Sequence, residues 1–218
     1  MALSSKYLSY SDRTAEIAFA VVMVIIINGY VALSDLNTGW TYIVVVNLGA
    51  CLGWGMIDGF IYAISSSIDR NRIKNILLKL KSSAKDESVL ETVEKGLEST
   101  FLSSFDNKGK EAVAKEILVH VADASLGDEK LFTRDDVMGW LYILGIYLSV
   151  GFLLSLPFLI LEDKLFAWLV SNICGTGWLF LYGVQLGKLA GKNRWLIGLF
   201  MVMISVLLYV VSYTTGVL

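Results

Sequence analysis

An aspartate stands inside one of the most apolar stretches of the chain. The run NLGACLGWGMIDGFIYAISSS, residues 47–67, carries Asp58 between Ile57 and Gly59. At the centre of a membrane helix an aspartate costs roughly 2.5–3.5 kcal/mol, and such groups face a bundle interior or a water-filled path. At helical spacing, Asn47, Cys51, Trp54, Asp58 and Tyr62 share one face of this segment. That face combines a carboxylate, an amide, a thiol and a phenol. Oxygen ligands hold hard or borderline divalent cations, and sulfur adds affinity for transition metals. The preceding apolar block supplies Glu16, then Met23 on the same face, then Asn28 deeper in. A plainer reading stays open: a protonated Asp58, or one hydrogen-bonded to a Trp, Tyr or Asn of a neighbouring helix. Met23 and Met56 can equally be ordinary lipid-facing or core residues.

A second set of acids lies outside the apolar blocks. Glu87, Glu91, Glu94 and Glu98 follow one another at three- and four-residue steps and so line one helix face. Like charges at this spacing repel unless a cation or basic partner relieves them. The face is either simply solvated or gathers metal. His120, the only histidine, reads as a packed helix residue rather than a ligand.

Elements of a particular kind must position these groups. The chain of 218 residues is 56% hydrophobic and 17% charged, where a soluble domain holds about 45–50% and about 25%. The surplus sits in five blocks, Glu16–Ser34, Thr41–Ser65, Val137–Leu161, Leu165–Gly187 and Trp195–Gly216. Each approaches or exceeds the roughly 20 residues needed to cross a bilayer as a helix. The expected fold is all-α: a polytopic membrane protein of five transmembrane helices. A retained first helix, rather than a cleaved signal peptide, is expected from the length of the first block.

Basic residues orient the spans. Lys6 and Arg13 precede the first; Arg70, Arg72, Lys74, Lys79, Lys81 and Lys85 follow the second; Lys188, Lys192 and Arg194 lie between the last two. The opposite connections, DLNTGW and EDK, hold a single lysine. This predicts a cytoplasmic N-terminus and a C-terminus on the far side, and the lack of a targeting extension points to a prokaryotic plasma membrane. The basic strip suits anionic headgroups, and nucleic acid is not an expected partner. Cys51 and Cys174 both fall within spans, which implies neither a disulfide framework nor a thiolate cluster.

Three parts follow: residues 1–67 with the first two spans, 68–136 as a cytoplasmic helical module, and 137–218 with the last three spans. In the module, Ile73, Ile76, Leu77 and Leu80 extend the second span. Val89, Leu90, Val93, Leu97 and Phe101 form a second amphipathic run; Val113, Ile117, Leu118 and Val121 form a third after the turn-like DNKG at 106–109. Glycines recur every four residues at Gly49/Gly53, Gly55/Gly59 and Gly183/Gly187/Gly191, which suits close helix contacts. Pro157 falls inside the third span, where a kink is expected. Gly-rich phosphate loops, HExxH and nucleophile elbows do not occur, and no enzymatic role is expected.

The layout resembles the vacuolar iron transporter family of Fe²⁺/Mn²⁺ carriers. The likeness rests on GWGMIDGFIYAISSSIDRNR, which runs from a small-residue helix into a basic extension. It rests also on the proline-bearing LLSLPFLI and on the final pair WLFLYGVQLGKLAGKNRWLIGLFMVMISVLLYVVSYTTG. Asn28-Gly29 stands where that family carries an Asp-Gly pair, and Glu91 and Glu94 keep an ExxE spacing. The resemblance implies a homodimer that carries Fe²⁺ or Mn²⁺ as cargo, with no tightly bound cofactor and with exchange for protons. Asp58 would be the ligand or proton carrier, supported by Glu16, Asn28, Asn47 and Met23. Glu87, Glu91 and Glu94 would gather the cation at the entrance. The competing reading is a fold relative that no longer transports and serves as a membrane-anchored interaction protein.

Overall fold

A computed structural model describes residues 7–34, 39–82, 104, 106–123 and 130–217. These form six helices and no strand: α1 Tyr10–Ser34, α2 Trp40–Ser82, α3 Asn107–Asp123, α4 Arg134–Ile160, α5 Lys164–Leu189 and α6 Arg194–Val217. All but α3 are long and apolar enough to cross a membrane, so the chain is an all-α integral membrane protein with five candidate spans. The spans carry their bulky apolar side chains outward as well as inward: Phe19, Val45, Ile61, Phe152, Leu181 and Leu207 are all exposed. In a bilayer that surface meets acyl chains, so burial inside the protein is not what makes these helices apolar.

Local sequence ends the helices where polar groups can take up free backbone bonds. Ser9 accepts from the Asp12 amide at 3.1 Å and opens α1. Asp163 accepts from the Phe166 amide at 3.0 Å and opens α5. Asn193 accepts from the amides of Trp195 and Leu196 and opens α6. The turn between α5 and α6 closes on Gly191, whose φ of 64° suits glycine. There the Lys192 amide reaches back to the Gly187 carbonyl at 3.0 Å, a Schellman arrangement.

The chain divides into two compact units, Met1–Ala63 with Arg134–Leu218, and Ile64–Thr133. In the first unit α1 is the central post, packing against α4, α5 and α6, while α5 and α6 share the most extensive contact. Two apolar clusters fill the interior. One gathers Val21, Val24, Ile25, Cys51, Ile143, Tyr147 and Leu179; the other gathers Ile43, Val44, Phe158, Ala167 and Trp168.

In the second unit the expected extension of the second span is present, because α2 continues without interruption to Ser82. The DNKG segment is not a separate turn. Asp106 accepts from the Gly109 amide at 2.9 Å and starts α3 at Asn107, since a short acidic side chain is a good N-cap. His120 is exposed on α3, not packed, and its Nδ1 lies 3.0 Å from the Glu116 carbonyl. The second amphipathic run, 89–101, lies outside the described residues.

Candidate functional site

Three helices of the first unit bring polar side chains to one point. Asp58 of α2 accepts a hydrogen bond from the hydroxyl of Tyr147 on α4. Glu16 of α1 faces the same hydroxyl. Tyr147 is 2% exposed, and both carboxylates are half-buried. The phenol therefore stands between two acids contributed by different helices.

Small residues on either side of Asp58 make this approach possible. A Cβ added at Gly59 would overlap the Trp140 ring, and one at Gly55 would sit about 3.0 Å from Tyr147 and Leu144. The reciprocal holds on α4, where a Cβ at Gly139 would overlap Tyr62 and one at Gly151 would overlap Cys51. Without side chains at these four positions, α2 and α4 close until Asp58 reaches Tyr147. Tyr62, one turn beyond Asp58, donates to the Tyr7 carbonyl at 2.5 Å. Next to that bond Leu8 is buried in the same apolar cluster as Tyr147, so the segment leading into α1 is tied down beside the acids.

A second polar node joins four helices. Asn47 of α2 donates through Nδ2 to Asn28 Oδ1 of α1 at 2.6 Å and to Ser155 Oγ of α4 at 3.0 Å. Asn28 Nδ2 donates to Ser171 Oγ of α5 at 2.9 Å, and Ser171 donates to the Leu154 carbonyl at 2.6 Å. All four side chains are at most 1% exposed. In a bilayer such groups have no water to fall back on, so mutual bonding is what keeps them inside.

The expected residues are thus divided. Glu16 and Asp58 are brought together. Asn28 and Asn47 meet each other instead, 12 and 11 residues away along α1 and α2, about 16–18 Å at 1.5 Å per residue. Met23 is half-buried against the apolar cluster around Val24, Ile25 and Cys51. Glu87, Glu91 and Glu94 lie outside the described residues. Trp54 does not share the inward face of α2. It is 53% exposed, because Gly55 occupies the tight contact with α4 and turns the bulky neighbour to the lipid side. A Cβ added at Gly49 or Gly53 would meet nothing within 4 Å among the described residues, unlike one at Gly55, Gly59, Gly183 or Gly187.

Sequence reasoning passed over Tyr147, Ser155 and Ser171. A signal existed on α4, where Ile143, Tyr147, Gly151, Leu154 and Phe158 mark one helical stripe; Tyr147 is the polar-tipped member of that stripe. Chemically, two carboxylates and a phenol form an oxygen-only set suited to a proton or a hard or borderline cation. Among the described residues no three His, Cys, Asp or Glu side chains gather.

No protein-family model matches the chain, and no curated protein matches it.

Proposed function

We propose that the protein transports a divalent cation, Fe²⁺ or Mn²⁺, in exchange for protons. The observation that carries this reading is the meeting of Glu16 and Asp58 on the buried Tyr147 hydroxyl within helices of membrane-spanning length. Carboxylates this expensive in a bilayer line ion and proton paths. A cation and a proton compete for the same carboxylate oxygens, so one site serves both, loading the ion when the proton leaves. Tyr147 holds Asp58 in place and shares its hydrogen bond with whichever acid is unloaded. The vacuolar iron transporter resemblance supports the same cargo.

In this reading the N-terminus is cytoplasmic, following the basic residues around Arg70–Lys81 and Lys188–Arg194. Glu87, Glu91 and Glu94 collect the ion there, and two copies of the chain associate through the open Gly49–Gly53 face of α2. A second reading, a membrane-anchored interaction protein that keeps the fold, is favoured by one observation. Two carboxylates make a thin ligand set for a divalent ion, and Asn28 brings no charge.

The deciding experiment is Fe²⁺ and Mn²⁺ flux into proteoliposomes under an imposed pH gradient, wild type beside Asp58→Asn. The transporter reading expects flux that rises with the gradient and falls at least tenfold in the variant. Absence of flux from folded wild-type protein with both ions rejects it in favour of the second reading.

A further inference from the structure

The four-helix node leaves one buried acceptor without a donor. Asn47 spends both amide hydrogens on Asn28 and Ser155, yet its own Oδ1 has no partner although it is fully buried. The same node holds the oxygens Asn28 Oδ1, Ser155 Oγ, Ser171 Oγ and the Leu154 carbonyl. Two residues beyond Ser155 comes Pro157, which has no N–H to offer the Leu153 carbonyl one turn back.

Exchanging the two ends of the Asn47 amide does not cure the shortage. It places Oδ1 where Nδ2 now lies, 2.6 Å from Asn28 Oδ1 and 3.0 Å from Ser155 Oγ. Three oxygens would then converge with at most the Ser155 hydrogen among them. Such a nest is completed by a positive charge at its centre. Turning the amide is thus the difference between a self-bonded node and an all-oxygen cage.

Charge selects the ion. Every donor in the node is neutral, and Glu16 and Asp58 are about 16–18 Å away along their helices. A divalent ion here would be an uncompensated double charge in low dielectric, whereas amide, hydroxyl and carbonyl oxygens next to a broken backbone ladder suit a hard monovalent ion. We propose that Asn28, Asn47, Ser155 and Ser171 form a binding site for one small monovalent cation of the sodium class, separate from the carboxylate pair. The site stands on the node alone and does not depend on what the carboxylates carry.

Thermal unfolding of the purified protein in detergent, followed by tryptophan fluorescence, tests this without any transport assay. Chloride salts of Na⁺, Li⁺, K⁺ and N-methylglucamine are compared at one ionic strength. The expected result is a saturable rise in Tm with Na⁺ over N-methylglucamine, about 5 °C at a hundredfold excess over the dissociation constant. Ser155→Ala weakens the sodium midpoint at least tenfold, and Asp58→Asn leaves it unchanged. Equal Tm in Na⁺ and N-methylglucamine for the wild type overturns the proposal, as does a water molecule alone in the node of an experimental structure grown in saturating Na⁺. A sodium shift lost in Asp58→Asn but kept in Ser155→Ala also overturns it, by placing the ion at the carboxylates.

Discussion

The hydroxyl of Tyr147 donates to the carboxylate of Asp58 across 89 residues of sequence, while Glu16 faces the same oxygen. Removing that oxygen is the smallest change that separates the three groups. Tyr147→Phe keeps the ring in its apolar cluster and leaves Asp58 without its donor. A hydrogen bond to a charged group is worth about 1.5–3 kcal/mol, toward the lower end for a half-buried acid. Flux at subsaturating Mn²⁺ should fall about tenfold, and the unfolding temperature should drop by about 3–6 °C. A variant as active as wild type would remove Tyr147 from the site.

Close approach of α2 to α4 rests on Gly59. A methyl there overlaps Trp140, and overpacking of this kind costs about 1–3 kcal/mol. Gly59→Ala should lower stability by that amount in a detergent melt. Gly49→Ala, where nothing lies within 4 Å, should leave the monomer within about 0.5 kcal/mol of wild type. Equal effects at the two positions would contradict the packing described.

Tyr62 ties the start of the described chain to the bundle through the Tyr7 carbonyl. Hydrogen exchange resolves this directly. In Tyr62→Phe, amides of the segment around Leu8 should exchange at least tenfold faster, while those of Ile143–Tyr147 in mid-α4 stay as in wild type. Unchanged exchange around Leu8 would show that burial of Leu8 alone holds the segment.

On α3 the ammonium of Lys115 sits 2.6 Å from the Glu111 carboxylate and holds its pKa below the usual glutamate value, first by hydrogen bonding and then by charge. A depressed carboxylate pKa adds stability above its unfolded value, and that stability is lost as pH falls through the folded value. Both groups are open to solvent, so the effect on the whole protein is slight. A ¹³C NMR titration should show the Glu111 midpoint below that of an ordinary glutamate, rising in Lys115→Ala. Coincident midpoints in the two proteins would show no working pair.

Membrane spans are legible because length and apolarity alone define them, and all five blocks became helices of the expected kind. The basic continuation of the second span was readable for the same reason that any helix is, from the 3.6-residue recurrence of Ile73, Ile76, Leu77 and Leu80. Azimuth and depth were harder. Positions 54 and 55 straddle the edge of the inward face, and only the packing of Gly55 on Leu144 and Tyr147 decides that Trp54 turns outward. Asn47 and Asp58 share a face, yet the rise along the helix puts them in different nodes. Tyr147 belongs to a readable stripe on α4, but Ser155 and Ser171 are small hydroxyls that mark no face of helices apolar nearly all round. Their roles emerge only from the residues they touch on other helices.

Helices α1 and α2 are tied together at both ends of their antiparallel overlap, Asn28 to Asn47 at one end and Glu16 to Asp58 through Tyr147 at the other. Two stiff rods joined at two places have a single way of sliding, so neither tie can be released by translation while the other stays intact. The register of α1 against α2 is therefore held twice over, and a change that frees one tie leaves the other to keep it.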